Sequence, residues 1–321
     1  MRVLVTGANG CIGAWVVKNL VARGIDVLLY DNDPSHERLS LILSPAELSR
    51  TASEAGAIED TEHVKRVVRD GAITHIVHLA AVLMPFCQAR PVAGAMVNVI
   101  GTLNVFEAAR DAGRPVRIVY ASSAAIWGPE EEYAAGVKLD EEQPARPTTH
   151  YGVFKQANEA GARVFFAVDG ISSIGLRPWT VYGLGRDRGL TADPTLAIKA
   201  LALGEPFRIR LTGKMDFQYV EDVAEAFIRC LLSPLVGAYV FNLEGSVVDI
   251  SEFIQNLERL RAGALRLVSA EGPQVPVACR PDGTQLRAKV PDLPQTPLIE
   301  GINRTLAAFD RLRAEGRLMA V

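Results

Sequence analysis

The chain has 321 residues, of which 49% are hydrophobic and 22% charged, so its composition is that of a folded globular protein and excludes extended disorder. Its formal net charge is −3 and no basic run stands out, which argues against a nucleic-acid partner. The sequence shows no signal peptide and no apolar stretch near the ~20 residues of a membrane span, so we expect a cytoplasmic protein without a membrane contact.

The first half of the chain alternates between strand and helix patterns. Apolar runs at 2–6, 26–30, 74–79, 116–121 and 171–176 predict strands, and periodic stretches at about 12–21, 91–112 and 149–168 predict helices. Residues 34–56 fit a helix, an excursion or both. Because strands that alternate with helices form a parallel sheet covered on both faces, this half predicts an α/β fold with a doubly wound, Rossmann-type sheet.

The alternation fades after about residue 177. Glycine-rich and proline-rich stretches follow, and residues 272–297 contain six prolines with little periodicity. We therefore expect a Rossmann domain over residues 1–175, to which residues 216–245 return. A smaller C-terminal substrate-binding lobe would comprise residues 176–215 and 246–321.

A glycine-rich loop, TGANGCIG at 6–13, separates the first predicted strand from the first helix. In that position, backbone N–H groups and the helix N-terminus can bind a pyrophosphate. Asp31 ends the second strand 18 residues beyond Gly13, where a carboxylate can accept hydrogen bonds from ribose hydroxyls and repels a 2′-phosphate. Because no arginine stands at 30, 32 or 33, the sequence predicts NAD rather than NADP as the cofactor.

Tyr151 and Lys155 lie four residues apart and therefore share one face of a predicted helix. An ammonium about 4 Å from the phenol would favour the phenolate by roughly 4 kcal/mol at an effective dielectric of ~20, so we expect Lys155 to lower the pKa of Tyr151. Ser123, after the strand predicted at 116–121, could bond the substrate oxygen that Tyr151 deprotonates. These three residues are the predicted catalytic set.

The four cysteines, Cys11, Cys87, Cys230 and Cys279, are far apart and match no zinc or redox spacing. We expect reduced thiols and no metal site.

Several segments resemble the extended short-chain dehydrogenase/reductase superfamily. TGANGCIG at 6–13, HLAA at 78–81, YASSAAIWG at 120–128, YGVFK at 151–155, LRPWTVYG at 176–183 and FQYVEDVAEAF at 217–227 follow that superfamily's order. From residue 1 to about 230 the chain is similar to the NAD-dependent epimerase/dehydratase family, and the last 80 or so residues match only loosely.

The resemblance implies roles for residues beyond the catalytic set. The residues expected to contact the cofactor are Gly7, Asn9, Gly10, Cys11, Ile12, Gly13, Asp31, Asn32, Ile58, Leu79, Ala80, Ala81, Asn98, Tyr151, Lys155, Pro178 and Thr180. The residues expected near the substrate are Met84, Ser123, Trp127, Trp179 and Arg186. Trp127 could be a packing platform or only a bulky wall, and Arg186 or Arg188 could bind a carboxylate or lie in solvent. The family often dimerises through two long helices, here about 91–112 and 149–168, so a homodimer is implied.

Four departures from the family pattern restrict the substrate. Ala57 replaces an aspartate that contacts the adenine, and Ala124 and Ala125 stand where 4,6-dehydratases carry acidic residues, which disfavours elimination of water. Met215 replaces the arginine that nucleotide-sugar members use on the substrate's diphosphate, and Thr180 replaces a frequent asparagine. Together these changes favour a substrate without a nucleotide, such as a sugar, a sugar acid or another hydroxy acid.

Three functions remain open from the sequence. The leading hypothesis is an NAD-dependent oxidoreductase that moves hydride between NAD and a secondary alcohol of such a small molecule, with Tyr151 as general base. The alternative is a sugar or nucleotide-sugar epimerase that retains its NAD. A third hypothesis, a catalytically silent NAD-sensing binding protein, conflicts with the complete set of Ser123, Tyr151 and Lys155.

Overall fold

The computed structural model describes residues 1–320. Its strands, in chain order, are β1 (Arg2–Thr6), β2 (Asp26–Asp31), β3 (Ala52–Ala55), β4 (His75–His78), β5 (Arg117–Ala121), β6 (Ser173–Arg177), β7 (Thr180–Tyr182), β8 (Phe207–Ile209), β9 (Lys214–Tyr219), β10 (Ala238–Asn242), β11 (Ser246–Asp249) and β12 (Val268–Ala270). Its α-helices are α1 (Cys11–Ala22), α2 (Glu37–Ile42), α3 (Pro45–Leu48), α4 (Thr61–Asp70), α5 (Met84–Ala89), α6 (Pro91–Ala95), α7 (Gly101–Arg110), α8 (His150–Asp169), α9 (Asp193–Leu203), α10 (Val220–Leu232), α11 (Ile250–Leu260), α12 (Ala264–Leu267), α13 (Thr284–Lys289) and α14 (Leu298–Ala314).

Seven strands form one parallel sheet in the order β10-β6-β5-β4-β1-β2-β3. The chain starts in β1, moves outward through β2 to β3, and then crosses back to β4 on the other side of β1. In doubly wound proteins, such a reversal leaves a crevice at the carboxyl ends of the strands, where ligands bind. The predicted α/β fold with a doubly wound, Rossmann-type sheet is confirmed.

Helices cover both faces of this large sheet. α1 and α10 pack together, and α4 packs beside α7. Side chains of β1 alternate between two cores, since Val3 and Val5 join the one that contains α1 and α10, whereas Leu4 joins the one that contains α4 and α7. Burial on both faces explains why the central strands are apolar along their whole length.

Two segments do not follow a simple sequence pattern, and the structure gives a physical reason for each. Residues 34–56 fold as α2, α3 and the edge strand β3, whose four residues are all exposed and so lack an apolar alternation. The helix predicted over 91–112 is present but interrupted, because α6 continues into a π-helical turn at Met96–Ile100 before α7 begins. Such turns are frequent at functional sites.

By length and composition alone, the helical segment Pro91–Arg110 is apolar enough to cross a membrane, which the sequence scan did not anticipate. Half of its most apolar window is buried inside the fold. The core helix of a soluble protein passes the same test, so this segment is weak evidence for a membrane span.

Two small sheets complete the fold. β9 lies between β7 and β11, and β12 pairs with β8. The chain then comes back to the large sheet: α10, which begins at Val220, packs on α1, and β10 pairs with β6. The preceding strand, β9, belongs to a small sheet.

Candidate active site

A cavity of about 750 Å³ is lined by residues that follow β1, β2, β4, β5 and β6. It brings together most of the residues expected to bind cofactor or substrate, namely Gly7, Asn9, Gly10, Cys11, Ile12, Gly13, Asp31, Asn32, Ile58, Leu79, Ala80, Ala81, Ser123, Tyr151, Lys155, Pro178, Trp179 and Arg186. Positions far apart in the sequence therefore meet around one space.

Asn98 and Thr180 do not line the cavity, and their assignment as cofactor contacts stays a prediction. Both are at most 1% exposed. The Asn98 amide accepts from the Val82 N–H at 2.9 Å and donates to the Val82 carbonyl at 3.0 Å, so it holds the loop after β4 in place. The Thr180 hydroxyl lies 3.7 Å from the Met215 sulfur, inside the core between β7 and β9.

Trp127 and Met84 are also absent from the lining of the cavity. Trp127 is 1% exposed and packs against Arg177, whose Cζ lies 4.9 Å from the ring centroid. Its burial favours the bulky wall over the packing platform, and a contact with substrate stays a prediction. Met84 begins α5, and its neighbours Leu83 and Pro85 line the cavity in its place.

The glycine-rich loop leaves room for a ligand at the start of α1. Gly7 has a φ of +69°, and a Cβ on it would lie 2.7 Å from the Ala80 nitrogen. A Cβ on Gly13 would lie 2.2 Å from the Gly7 carbonyl oxygen, so the main chain itself requires glycine at both positions. Cys11 and Ile12 open α1 on the cavity wall, where its N-terminal N–H groups can bind a pyrophosphate.

Asp31 ends β2 on the same wall. Its carboxylate accepts hydrogen bonds from the Asn9 N–H at 2.9 Å and the Asp33 N–H at 3.1 Å. A carboxylate has about four acceptor sites, so two bonds to the main chain leave capacity for the hydroxyls of a ribose. The loop and this acid together fit a dinucleotide of the NAD type.

At the other end of the cavity, α8 packs directly on the turn that follows β5. A Cβ on Gly152 would lie 2.1 Å from the Ala125 carbonyl oxygen, so a glycine next to Tyr151 is needed for this close approach. The Ser123 hydroxyl lines the same wall of the cavity as the Tyr151 phenol and acts to lower the pKa of that phenol. Lys155 completes the expected polar set on the same wall.

The pKa of Tyr151 is raised above its usual 10.0, contrary to the expectation from the sequence. Burial of the phenol is the main cause, and the Ser123 hydroxyl and the positive charge of Arg186 act in the opposite direction. The Lys155 ammonium lies 5.6 Å from the ring centroid and donates to the Ala121 carbonyl at 2.7 Å. Because burial removes the water that would stabilise a phenolate, Tyr151 is protonated at neutral pH in this structure.

Sequence reasoning missed Glu159, which lies one helical turn beyond Lys155. Arg177 donates to the two Glu159 oxygens at 2.8 and 2.7 Å, and the Ser122 hydroxyl donates to the same carboxylate. The side chains of Arg177 and Glu159 are only 6% and 4% exposed. The spacing 151, 155, 159 puts all three polar residues on one helix face, and that spacing could have indicated Glu159.

Burial lowers the pKa of Lys155 to about 8, while the charges of Cys87 and Glu159 act to raise it. The same neighbourhood contains His78, whose pKa burial lowers to about 3. Glu159, which is paired with Arg177, is the nearby carboxylate whose charge favours the Lys155 ammonium.

Arg38 and Asp187 were missed as well, although both line the cavity. Arg38 lies in α2, within the segment whose fold the sequence left open. Asp187 lies in the loop after β7. No local pattern marks either residue, because their relation depends on a contact between segments about 150 positions apart.

A phenol, a hydroxyl and an ammonium can exchange a proton with an alcohol, and a dinucleotide held by the adjacent loop would exchange the hydride. This arrangement defines the short-chain dehydrogenase/reductase class. The profile of the NAD dependent epimerase/dehydratase family matches residues 3–243. The chain belongs to this family. The predicted family and its dependence on NAD are thereby confirmed.

Several known proteins with similar sequences are named UDP-sugar 4-epimerases. UDP-glucuronate 4-epimerase 3 of Arabidopsis thaliana is 31% identical over 80% of this chain, which spans only 64% of that relative's length. UDP-glucose 4-epimerase of Mycolicibacterium smegmatis is 29% identical over 96% of this chain and 98% of its own length. The crystal structure of the Thermus thermophilus UDP-glucose 4-epimerase in complex with NAD superposes with a TM-score of 0.82 at 28% identity, over 96% of this chain and 99% of that chain.

These relatives support an NAD-dependent enzyme of the epimerase or dehydrogenase type, as predicted at the level of the family. They are epimerases by name, whereas a net dehydrogenase was the leading hypothesis.

Proposed function

We propose that this chain catalyses the NAD-dependent oxidation of a secondary alcohol on a sugar, a sugar acid or a related hydroxy acid. One observation carries the proposal: the Tyr151 phenol and the Ser123 hydroxyl lie on the wall of the same cavity that the glycine-rich loop lines. A substrate hydroxyl placed there would contact a proton acceptor and a second hydrogen-bonding group at once.

NAD supplies a positively charged nicotinamide ring that accepts a hydride. Tyr151, once deprotonated, takes the proton of the substrate hydroxyl, and Ser123 bonds the same oxygen. Lys155 holds a positive charge beside the phenol and, by resemblance to the family, binds the nicotinamide ribose. Burial raises the pKa of Tyr151, whereas nearby positive charge stabilises its phenolate. Tyr151 is therefore a stronger candidate base when a cation lies beside it.

The substrate class rests on Met215. This residue stands at the position of the family's diphosphate-binding arginine, and it is 0% exposed. A buried thioether can neither reach nor neutralise a diphosphate, so a substrate without a nucleotide fits better. Arg186, which lines the cavity and donates to the Thr191 hydroxyl at 2.9 Å, is the residue we propose for binding a carboxylate.

A second candidate is a 4-epimerase that retains NAD. It is favoured by the two curated relatives and by the solved structure, all of which are named UDP-sugar 4-epimerases. Both candidates share the first oxidation at Tyr151, and they differ in whether the hydride returns to the same substrate.

The test is to incubate the purified chain and NAD with free sugars, sugar acids, small hydroxy acids and UDP-sugars, while absorbance reports NADH. Steady NADH formation from a compound without a nucleotide, lost in Tyr151→Phe, is the expected result. Isomerised sugar without net NADH, with NAD retained by the protein, would replace the dehydrogenase by the epimerase. NAD binding without either product from any compound would leave the binding-protein hypothesis and overturn the proposal.

We further propose a homodimer formed through the helices of residues 91–110 and α8. Both helices expose apolar side chains, and the most exposed are Val92 at 79%, Val168 at 75% and Val164 at 60%. A second copy of the chain would cover these residues from water, as the family resemblance implies. Light scattering should give twice the chain mass for the wild type, and a lower mass for Val164→Glu.

A further inference from the structure

Arg38 and Asp187 join the two lobes at the cofactor cavity. Arg38 Nη2 donates to both Asp187 carboxylate oxygens, at 2.6 and 2.9 Å. Arg38 Nη1 donates to the Asn9 carbonyl in the glycine-rich loop. We call this ion pair the clasp.

The loop that carries Asp187 is held against the Rossmann half at a second point. The Trp15 indole N–H, on α1, donates to the Leu184 carbonyl at 2.9 Å. A Cβ on Gly185 would lie 3.3 Å from the Arg38 side chain, so the loop's main chain runs in contact with the stem of the clasp. The loop can bend this sharply because three of its residues have positive φ, namely Gly183, Gly185 and Gly189.

The clasp lies close to the start of α1, where a pyrophosphate would bind. Burial raises the pKa of Cys11, in the first turn of α1, to about 11. The charges of Arg186, Arg38 and Asp187 act on the same thiol, the two cations lowering its pKa and the carboxylate raising it. Because Arg38 donates to the carbonyl of Asn9, two residues before α1 begins at Cys11, the clasp and this helix start are near neighbours.

We propose that the clasp determines how long NAD stays bound, because the Arg38–Asp187 pair must separate before the dinucleotide leaves. The length of stay selects the net reaction. An epimerase must keep the reduced cofactor until the hydride returns, whereas a dehydrogenase must release it in every cycle. This inference rests on the proposed NAD-dependent reaction, but its test requires only that the cofactor binds.

The expected effect is moderate. The side chains of Arg38 and Asp187 are 15% and 50% exposed, so water weakens their attraction on one side. A hydrogen bond between a guanidinium and a carboxylate is nevertheless stronger than one between neutral groups. We expect loss of the clasp to speed release of the cofactor about three- to tenfold.

The experiment measures release directly. Protein loaded with NADH is mixed with excess NAD, and the decay of NADH fluorescence gives the dissociation rate for the wild type, Arg38→Met, Asp187→Asn and the double variant. Each single variant should release NADH about three- to tenfold faster, and the double variant no faster than the faster single one, since both changes break the same pair. Added salt should speed release from the wild type more than from the variants.

Glu225→Gln is the matched control. Arg23 Nη2 binds both Glu225 oxygens at 2.7 Å and links α1 to α10, and neither residue lines the cavity. This control should release NADH at the wild-type rate.

Three outcomes would contradict the proposed role of the clasp in cofactor release. Unchanged release in both single variants would show that the pair does not control it. Faster release in Arg38→Met alone would show that Arg38 contacts the cofactor directly. Equal acceleration in Glu225→Gln would show a general loosening of the fold. Failure of the wild type to bind NADH at all would instead contradict the proposed function, so the two failures are distinguishable.

Discussion

The two ends of the cofactor cavity have walls of different kinds, one of main chain and one of polar side chains. At the glycine-loop end the walls are main chain, and contacts as close as that of Gly13 with Gly7 leave no space for a side chain. At the catalytic end the walls are polar side chains held from below by the buried pair of Glu159 and Arg177. The first end depends on steric fit and the second on compensation of charge. Substitutions at the two ends should therefore fail in different ways.

The largest effect is expected from Glu159→Gln, which leaves the Arg177 guanidinium buried without its anion. Breaking one partner of a buried pair costs about 3–5 kcal/mol, so the free energy of unfolding should fall by that amount. Urea unfolding measures it.

Asp193→Asn is the control for Glu159→Gln, because it also removes the charge of a buried carboxylate that is paired with an arginine. Asp193 is wholly buried and accepts two side-chain bonds from Arg210, at 2.9 and 2.7 Å, but Arg210 is 60% exposed. Water can solvate Arg210 after the change, so the loss should be clearly smaller than for Glu159→Gln. Equal losses would contradict the idea that an unpaired buried cation causes the effect.

Gly13→Ala tests the main-chain end. The new Cβ would meet the Gly7 carbonyl oxygen at 2.2 Å, so α1 or the loop must move. We expect a loss of about 1–3 kcal/mol in stability, together with weaker NADH binding measured by fluorescence.

Gly161→Ala provides the comparison within a helix. A Cβ there would meet only the Leu103 side chain, at an ordinary 3.8 Å, and alanine favours a helix over glycine by about 0.5–1 kcal/mol. This variant should be as stable as the wild type or more so, and should bind NADH equally well. Weak NADH binding in both variants would remove the distinction between the two ends.

The smallest effect concerns His78, which lies between the two ends. Its ring nitrogens bond the Thr6 hydroxyl at 2.7 Å and the Thr102 hydroxyl at 3.0 Å. Burial lowers its pKa to about 3, below the value near 6.5 of an unfolded chain. The unfolded state therefore binds more protons below pH ~6.5, and the stability that neutral His78 contributes is lost as the pH falls from there toward 3.

The measurement compares the wild type with His78→Gln. Between pH ~6.5 and ~5, the wild type should lose about 1–2 kcal/mol relative to the variant. The pH profile of the wild type alone does not isolate His78. Burial raises the pKa of Asp216 to about 7, so protonation of Asp216 changes the stability in the opposite direction over the same pH range. Parallel pH profiles for the two proteins would show that His78 does not titrate as its burial implies.

The predicted site residues that the structure brings together around the cavity are those whose positions depend on short spacings. Gly7, Gly10 and Gly13 are constrained by one turn between a strand and a helix, and Tyr151 and Lys155 by one turn of α8. Trp127 does not line the cavity with Ser123, because the turn at Ala124–Ile126 comes between them and its main-chain N–H donates to the Ala124 carbonyl at 2.9 Å. That turn directs the indole into the core although the two residues are close in sequence.

Residues whose roles depend on distant partners could not be found in this way. The pKa of Tyr151 depends on how deeply α8 packs, which no local pattern reports. The Arg38–Asp187 contact depends on how a loop of the small lobe crosses α2. The fold class and the cofactor loop are thus readable from the sequence, whereas the electrostatics of the base are not.

The late return of the chain to the large sheet has a consequence for synthesis on the ribosome. Six of the seven strands are complete once β6 ends at Arg177, but the seventh, β10, ends only at Asn242, and α10 must also be made before α1 is covered. At about 5–20 residues per second, residues 178–242 take roughly 3–13 seconds to emerge. During that interval the nascent Rossmann half presents an open strand edge and an apolar helix face, which are the features that chaperones bind.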